Sequence, residues 1–168
     1  LQDDGDLRRL FDTSGAWVND ELARLYQLPG RFDQTTTRAE HPAPTARSGL
    51  LTTAGFLALN AHASVTSPTY RGRFVRQFLL CDEIPPPPAG VNTNLPEPPA
   101  GQGPRTLRSK LEELHLQNAT CAGCHVRMDP LGFAFENFDA VGAYRTTDNG
   151  LPVDPRGQLD GRRFQSAK

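Results

Sequence analysis

The sequence predicts a mainly α-helical, loop-rich domain that carries a short β-hairpin. Apolar residues recur at helical spacing in several stretches, and this spacing indicates the helical class. Glycine and proline contribute 15 residues each to a chain of 168, so much of the backbone is expected in loops. The pair Asn149-Gly150 favours a type I′ hairpin turn within residues 144–153. The length allows one domain, with room for pieces of a neighbour.

The first predicted elements are two helices within residues 6–28. Apolar residues at positions i, i+3 and i+4 mark both helices, and Pro29-Gly30 ends the second. These residues are Leu7, Leu10, Phe11, Trp17, Val18, Leu22, Leu25 and Tyr26. The two helices are expected to pack on each other without chemistry of their own.

Two further helices are predicted in the next part of the chain. Residues 49–62 keep a 3.6-residue apolar period that ends at His62. Ser67 as N-cap and Pro68 at the first helical position begin the next helix, which is expected to run to about residue 81. Gly72 inside this helix indicates close approach by a backbone or a flat ring.

A proline-rich segment precedes the C-terminal part of the chain. Residues 82–106 contain eight of the 15 prolines and are expected to form an extended strap across the surface. A helix is then predicted over residues 106–116 from its leucine stripe. Further along, Pro130 is expected to break the turn that follows His125.

Cys121-Ala122-Gly123-Cys124-His125 is the central motif of the sequence. The pattern Cys-x-x-Cys-His is typical of covalent attachment of c-type haem. One helical turn between the thiols matches the two vinyl groups on one haem edge, and the following histidine can act as the proximal iron ligand. We therefore predict one haem c, bound covalently at Cys121 and Cys124 with His125 on the iron.

Two alternatives use the same thiols. A thioredoxin-like dithiol requires a βαβ setting, whereas here a leucine-rich helical stretch precedes the motif. A structural zinc site requires four ligands. Cys81 with Cys121, Cys124 and one histidine would supply them, although the chain has no second close pair. If both motif thiols hold haem, Cys81 is left alone, and we predict that it is a buried, unreactive thiol.

The sixth position on iron distinguishes an electron carrier from a haem enzyme. Met128, the only methionine, lies three residues past His125 and should not reach the opposite face of the ring. The histidines that remain are His62, His115 and His41. We prefer His62, because a distant helix end can approach from the distal side, and place His115 second, because its tether to the motif is short. An open sixth position is the other possibility.

Three other side chains are predicted to contact the haem: Arg71, Arg127 and Phe133. Arg71 would pair with a propionate, since a guanidinium holds a carboxylate through two hydrogen bonds. A solvated surface position is the alternative for Arg71. The phenyl rings that follow residue 132 are expected to cover apolar surface.

Composition excludes several partner classes. The net charge is -1, so neither nucleic acid nor an anionic membrane is favoured as a partner. No apolar run approaches the roughly 20 residues of a membrane span. The chain begins with Leu1, and we interpret it as a piece of a longer polypeptide, so that the absence of a signal peptide says nothing about compartment.

The region around the motif resembles a planctomycete-type cytochrome c domain family. The resemblance rests on His115, on Asn118, on the motif, and on the run from Met128-Asp129-Pro130 to Gly142. Earlier segments, such as Ser67-Pro68 and Arg71-Gly72, also match, and the similarity covers roughly residues 47–164. It implies a haem c domain at residues 31–168 of a larger exported protein, with residues 1–30 as the tail of a preceding helical domain. It also supports both His62 and His115 as positions that the family pattern carries.

These observations predict a c-type cytochrome domain that transfers electrons within a larger exported redox protein. The expected partners are a redox protein or other domains of a longer chain. Because haem c is attached outside the cytoplasm in bacteria, the expected location is periplasmic or otherwise extracytoplasmic. A haem enzyme with an open distal site, acting on peroxide or an oxidisable substrate, is the first alternative. A zinc-stapled binding module is the second.

Overall fold

The structure, a computed structural model, describes residues 5–42, 47–87, 89–90 and 103–167. The prediction of a proline-rich strap over residues 82–106 therefore lies partly outside the described residues. Within the described part, short helices alternate with loops and three two-stranded sheets. The predicted class, mainly α with a short hairpin, is confirmed.

The N-terminal part contains a strand where the sequence predicts a helix. Helices α1 (Arg9–Asp12) and α2 (Asp20–Leu25) flank strand β1 (Gly15–Val18). Strand β2 (Thr37–Glu40) pairs antiparallel with β1. The helical prediction for Trp17 and Val18 is therefore wrong: a partner strand about 20 residues away supplies the hydrogen bonds, and local apolar spacing does not report such a partner.

The sheet of β1 and β2 joins residues on both sides of position 30, where the sequence analysis divides the chain. Gly15 lies opposite Glu40, and Val18 lies opposite Thr37. Val18 is fully buried and packs in a small core with Tyr26. The division into residues 1–30 and 31–168 stays a prediction.

The helices of the central part begin at capping side chains. A 3₁₀ turn (Leu50–Thr52) precedes α3 (Ala54–Leu59). Helix α4 (Pro68–Phe74) begins as predicted, since the Ser67 side chain accepts a hydrogen bond from the backbone N–H of Tyr70. A π-helical turn (Val75–Leu79) continues it.

The C-terminal helices follow the proline-rich segment. Helix α5 (Leu107–Leu111) continues as a π-helical turn (Glu112–Leu116), and α6 (Ala119–Gly132) ends in a 3₁₀ turn (Phe133–Phe135). The expected break at Pro130 is wrong. Pro130 lies in the last turn of α6, where its missing N–H removes a single helical hydrogen bond and the helix still runs to its end.

Two hairpins complete the described chain. The predicted hairpin is present as β3 (Thr147–Asp148) and β4 (Leu151–Pro152), with positive φ angles of 51° at Asn149 and 79° at Gly150. Strands β5 (Gly157–Leu159) and β6 (Arg162–Phe164) form a second hairpin, which was not predicted from the sequence. Its signal is the pair Asp160-Gly161, which also has positive φ.

Helices α4 and α6 pack in direct backbone contact and run in opposite directions. A Cβ atom on Gly72 would lie 2.0 Å from the carbonyl oxygen of Met128, and one on Gly132 would lie 1.8 Å from that of Pro68. The prediction of close approach at Gly72 is confirmed for a backbone partner. The main core forms beside this crossing from Phe56, Leu57, Val75, Leu131, Ala134, Phe135 and Phe138.

No helix in the described residues is both long enough and apolar enough to span a membrane.

Candidate functional site

Helix α6 carries the motif and the residues that surround it. The side chain of Asn118 accepts a hydrogen bond from the backbone N–H of Thr120 and begins the helix. Because residues three or four apart share a helix face, Cys121 lies one turn from Cys124, and His125 lies one turn from Asp129.

The three cysteines of the chain are all free. Cys121 and Cys124 are partly exposed, so both thiols are accessible on α6. Cys81 is exposed as well, and the prediction that it is buried is wrong. Cys81 follows the π-helical turn Val75–Leu79. Its backbone is in a left-handed conformation, with φ 54°.

The structure brings His115 and His125 together around one carboxylate. Nδ1 of His115 lies 2.7 Å from Oδ2 of Asp129, and Nδ1 of His125 lies 3.0 Å from the same oxygen. The hydroxyl of Thr69, on α4, donates to Oδ1 of Asp129 over 2.8 Å. The two imidazole rings are 3.7 Å apart between centroids and inclined by 38°.

Asp129 is fully buried, and its hydrogen-bond partners favour its ionised form. Burial alone would raise the pKa of this carboxyl group, but the hydrogen bonds from His115, His125 and Thr69 outweigh it and hold the pKa below its usual range. An ionised carboxylate only accepts hydrogen bonds, so Nδ1 of each histidine is the donor. In a neutral imidazole with the proton on Nδ1, Nε2 is the nitrogen with a free lone pair, which is the form that binds a metal ion.

Metal-ligating atoms converge at this cluster. Within the described ranges, the group of three or more such side chains with ligand atoms within 4.8 Å of one another consists of His115, His125 and Asp129. The possible zinc ligands Cys81, Cys121 and Cys124 do not form such a group in the described ranges.

His62 lies elsewhere in the fold. It is exposed on the turn between α3 and α4, with its ring centroid 5.0 Å from that of Tyr70. His41 packs edge-on against the ring of Tyr26, also at 5.0 Å. The structure therefore brings His115, and neither of these two, to His125.

Arg71 is fully buried and donates to backbone carbonyls. Its Nη1 donates to Phe135 and Phe138 over 3.0 and 2.9 Å, and its Nη2 donates to Leu57 and Asp139 over 3.3 and 2.8 Å. Burial lowers the pKa of Arg71 to about 10, which leaves it charged at neutral pH. These bonds tie α4 to the chain after α6, so the predicted propionate contact stays a prediction.

The other two predicted contacts also have protein partners. Arg127 pairs with Asp82 at 2.5 Å. Phe133 is buried, and the guanidinium of Arg108 lies 4.6 Å above its ring. Their predicted contacts with haem stay predictions.

The roles of Asp129 and Thr69 were not predicted from the sequence. A usable signal for Asp129 was its position four residues after His125 on a helix, which puts a carboxylate beside the imidazole. No local signal exists for Thr69, because α4 brings it to Asp129 from 60 residues away.

Fold and site together define a mainly helical domain with a partly exposed pair of thiols beside a histidine–carboxylate cluster. The model of the PSCyt3 family, described as a protein of unknown function (DUF1588), matches residues 47–148, which is more than half of the chain. The chain belongs to this family. The family name indicates a relation to cytochromes, while its description assigns no function. No curated protein and no solved structure matches the chain.

Proposed function

We propose that the protein is a haem c domain that transfers electrons within a larger exported redox protein. The observation that carries the proposal is the state of His125: an ionised, buried carboxylate holds Nδ1, and Nε2 is available one residue after a pair of free thiols. A histidine ligand of a metal commonly donates its other N–H to such a carboxylate.

The donor set of α6 fits a covalent haem. Each thiol would add across one vinyl group, so that sulfur bonds to one vinyl carbon and the thiol hydrogen goes to the other. This addition consumes no oxidant. Cys121 and Cys124, one helical turn apart and partly exposed, would hold one edge of the ring, and His125 would provide the nitrogen ligand.

Exposed apolar side chains near the motif support the proposal. Helix α4 runs antiparallel to α6, and Nε of Arg76 donates to the carbonyl of Arg127. The residues that follow Arg76 therefore continue toward the amino end of α6. Among them, Phe78 is 69% exposed, and Val126 on α6 is 52% exposed. Apolar surface of this kind is typical of a ligand-covered or partner-covered face.

When bound, a haem would supply a one-electron couple at its iron. The chain's own residues would hold it permanently through Cys121 and Cys124 and orient its ligand through Asp129. Permanent attachment suits a carrier, which has to exchange electrons many times without losing its cofactor. A redox protein or other domains of a longer chain would supply and accept the electrons.

The decisive test is the intact mass of the denatured chain, with a visible absorption spectrum of the same sample. The protein is exported in a bacterial host that has the haem-attachment machinery. We expect the mass of one haem in addition to the polypeptide. The double variant Cys121→Ala/Cys124→Ala should bind haem only non-covalently and so show the bare polypeptide mass after denaturation. The control Cys81→Ser should keep the covalent haem. A bare polypeptide mass without a Soret band contradicts the proposal.

A second measurement distinguishes a carrier from a haem enzyme. If His62 is the sixth ligand, the loaded protein should be low-spin and should not bind carbon monoxide or cyanide, whereas His62→Ala should bind both. His41→Ala is the matched control and should behave as the parent protein. Ligand binding by the unmodified protein would favour the enzyme with an open distal site.

The histidine–carboxylate cluster supports a second candidate, a metal centre without haem. The ligand atoms of His115, His125 and Asp129 lie within 4.8 Å of one another, and two imidazoles with one carboxylate are a common ligand set for divalent transition metals. This candidate predicts a protein of bare polypeptide mass that contains one equivalent of metal by elemental analysis and loses stability with chelator.

A further inference from the structure

The hydrogen-bond network around His125 is larger than the orientation of a ligand requires. A single hydrogen bond to Nδ1 is enough to orient an imidazole. Here the acceptor is a carboxylate that is fully buried and receives two further hydrogen bonds, from His115 and Thr69. Because little water screens this charge, its influence on His125 is strong.

His115 lies on the same side of His125 as Asp129. Both Nδ1 atoms contact the same carboxylate oxygen, and the ring centroids are 3.7 Å apart. A sixth ligand has to approach iron from the face opposite the proximal histidine. An imidazole stacked on the proximal ring and tied to its hydrogen-bond partner does not take that position.

We infer that Asp129 is a positioning residue that fixes the ring of His125 and makes it a stronger electron donor to iron, and that His115 is a positioning residue that holds Asp129 in place and moderates this effect. This inference rests on the proposed function, and it replaces the predicted role of His115 as a sixth ligand. Asp129 draws the Nδ1 proton of His125 toward itself and so increases negative charge on the ring. His115 and Thr69 hold the carboxylate in place and take up part of its hydrogen-bonding capacity.

The consequence is a low reduction potential. A ring with more negative charge stabilises the ferric state over the ferrous state, because the ferric ion carries one more positive charge. A neutral acceptor in place of Asp129 should remove this preference. Removal of His115 or Thr69, which compete with His125 for the carboxylate, should strengthen the preference for the ferric state.

The main test is the midpoint potential of the haem-loaded variant Asp129→Asn. Asparagine keeps the size of the side chain and one carbonyl acceptor but removes the charge. We expect the potential to rise by at least about 59 mV, which is a tenfold change in a one-electron equilibrium. Asp160→Asn is the matched control: it removes the same charge from an exposed carboxylate that pairs with Arg76, and its shift should be much smaller.

His115→Leu separates positioning from ligation. The inference predicts an unchanged spin state, an unchanged response to carbon monoxide, and a lower potential, because the carboxylate then interacts more fully with His125. If His115 were the sixth ligand, the variant would change to a high-spin, ligand-binding form, and the inference would be overturned.

Thr69→Val keeps the inference testable if Asp129→Asn does not fold. It removes one donor from the same carboxylate, and we expect the potential to fall, as for His115→Leu. An unchanged potential in the folded variants, with haem attached, would overturn the inference. The absence of covalent haem in the unmodified protein would instead show that the proposed function has failed, so the two failures are distinguishable by mass.

Discussion

Two fully buried charged groups lie along the crossing of α4 and α6, and they differ in their partners. Arg71 on α4 and Asp129 on α6 are both 0% exposed. Arg71 donates to backbone carbonyls of four residues. Asp129 accepts from side chains, and two of these are partly exposed histidines.

The difference separates a structural charge from one that can support chemistry. Backbone carbonyls bonded to Arg71 cannot exchange their partner without unfolding, so Arg71 acts as a fixed link between segments. The imidazoles bonded to Asp129 keep a second nitrogen that is free to bind a metal ion. Burial alone therefore does not identify a functional charge; the chemistry of its partners does.

Arg71→Leu should have the largest effect on stability. It removes the guanidinium donor from four backbone carbonyl groups, and the removal of one partner from a buried charged network costs about 3–5 kcal/mol. Chemical denaturation measures this loss. Arg73→Leu is the matched control on the same helix. Among the described residues, Arg73 bonds to the Gln77 side chain alone, and the loss of free energy of unfolding should be below about 1 kcal/mol. Equal losses would contradict a special role for Arg71.

Gly72→Ala should have the next largest effect on stability. The added methyl group would lie 2.0 Å from the carbonyl oxygen of Met128, so the two helices would have to separate, at a cost of about 3 kcal/mol. Thermal unfolding measures it. In the control Gly55→Ala, the described residues beyond the helix's own backbone place no atom within 4 Å of the new Cβ, and the helix should gain up to about 1 kcal/mol. A neutral Gly72→Ala would show that the crossing is not rigid.

A pair of threonine variants compares the two regions directly. Thr66 donates to Glu136 over 3.1 Å beside Arg71, and Thr69 donates to Asp129 over 2.8 Å. Thr66→Val and Thr69→Val should each lower the free energy of unfolding by about 1.5 kcal/mol, because each removes a hydrogen bond to a carboxylate. Only Thr69→Val should also change the reduction potential. An equal change of potential in both variants would remove the distinction.

The smallest effect on stability is expected from the pair Asp154 and Arg156, which lies outside both buried networks. Hydrogen bonds from Arg156 lower the pKa of Asp154 from 3.8 to about 2. A carboxyl group with a lowered pKa in the folded state contributes stability above its unfolded pKa and loses it as the pH falls through the folded value. Asp154→Asn should therefore reduce the dependence of stability on pH between about 4 and 2. Urea unfolding at several pH values measures the slope, and an unchanged slope would contradict the assignment.

Local signals in the sequence were sufficient for the helical class and for one hairpin. Ser67-Pro68 and Asn149-Gly150 specify a helix start and a turn through their own backbone preferences. Residues 15–18 were misassigned because their partner strand lies far away in sequence. Asp129 was not recognised because its burial and its bond to His115 arise only when α5, α4 and α6 come together.

The sequence by itself determined the spacing of Cys121, Cys124 and His125 on one helix, since three and four residues correspond to one helical turn. It also determined that two thiols and one imidazole are the reactive groups of this motif. Only the tertiary structure decided that a buried carboxylate holds His125, that His115 shares this carboxylate, and that Arg71 is a structural link. The physical reason is that burial, and with it the strength of a charge, depends on which segments pack together, and glycines at the α4–α6 crossing allow the packing that buries both charges.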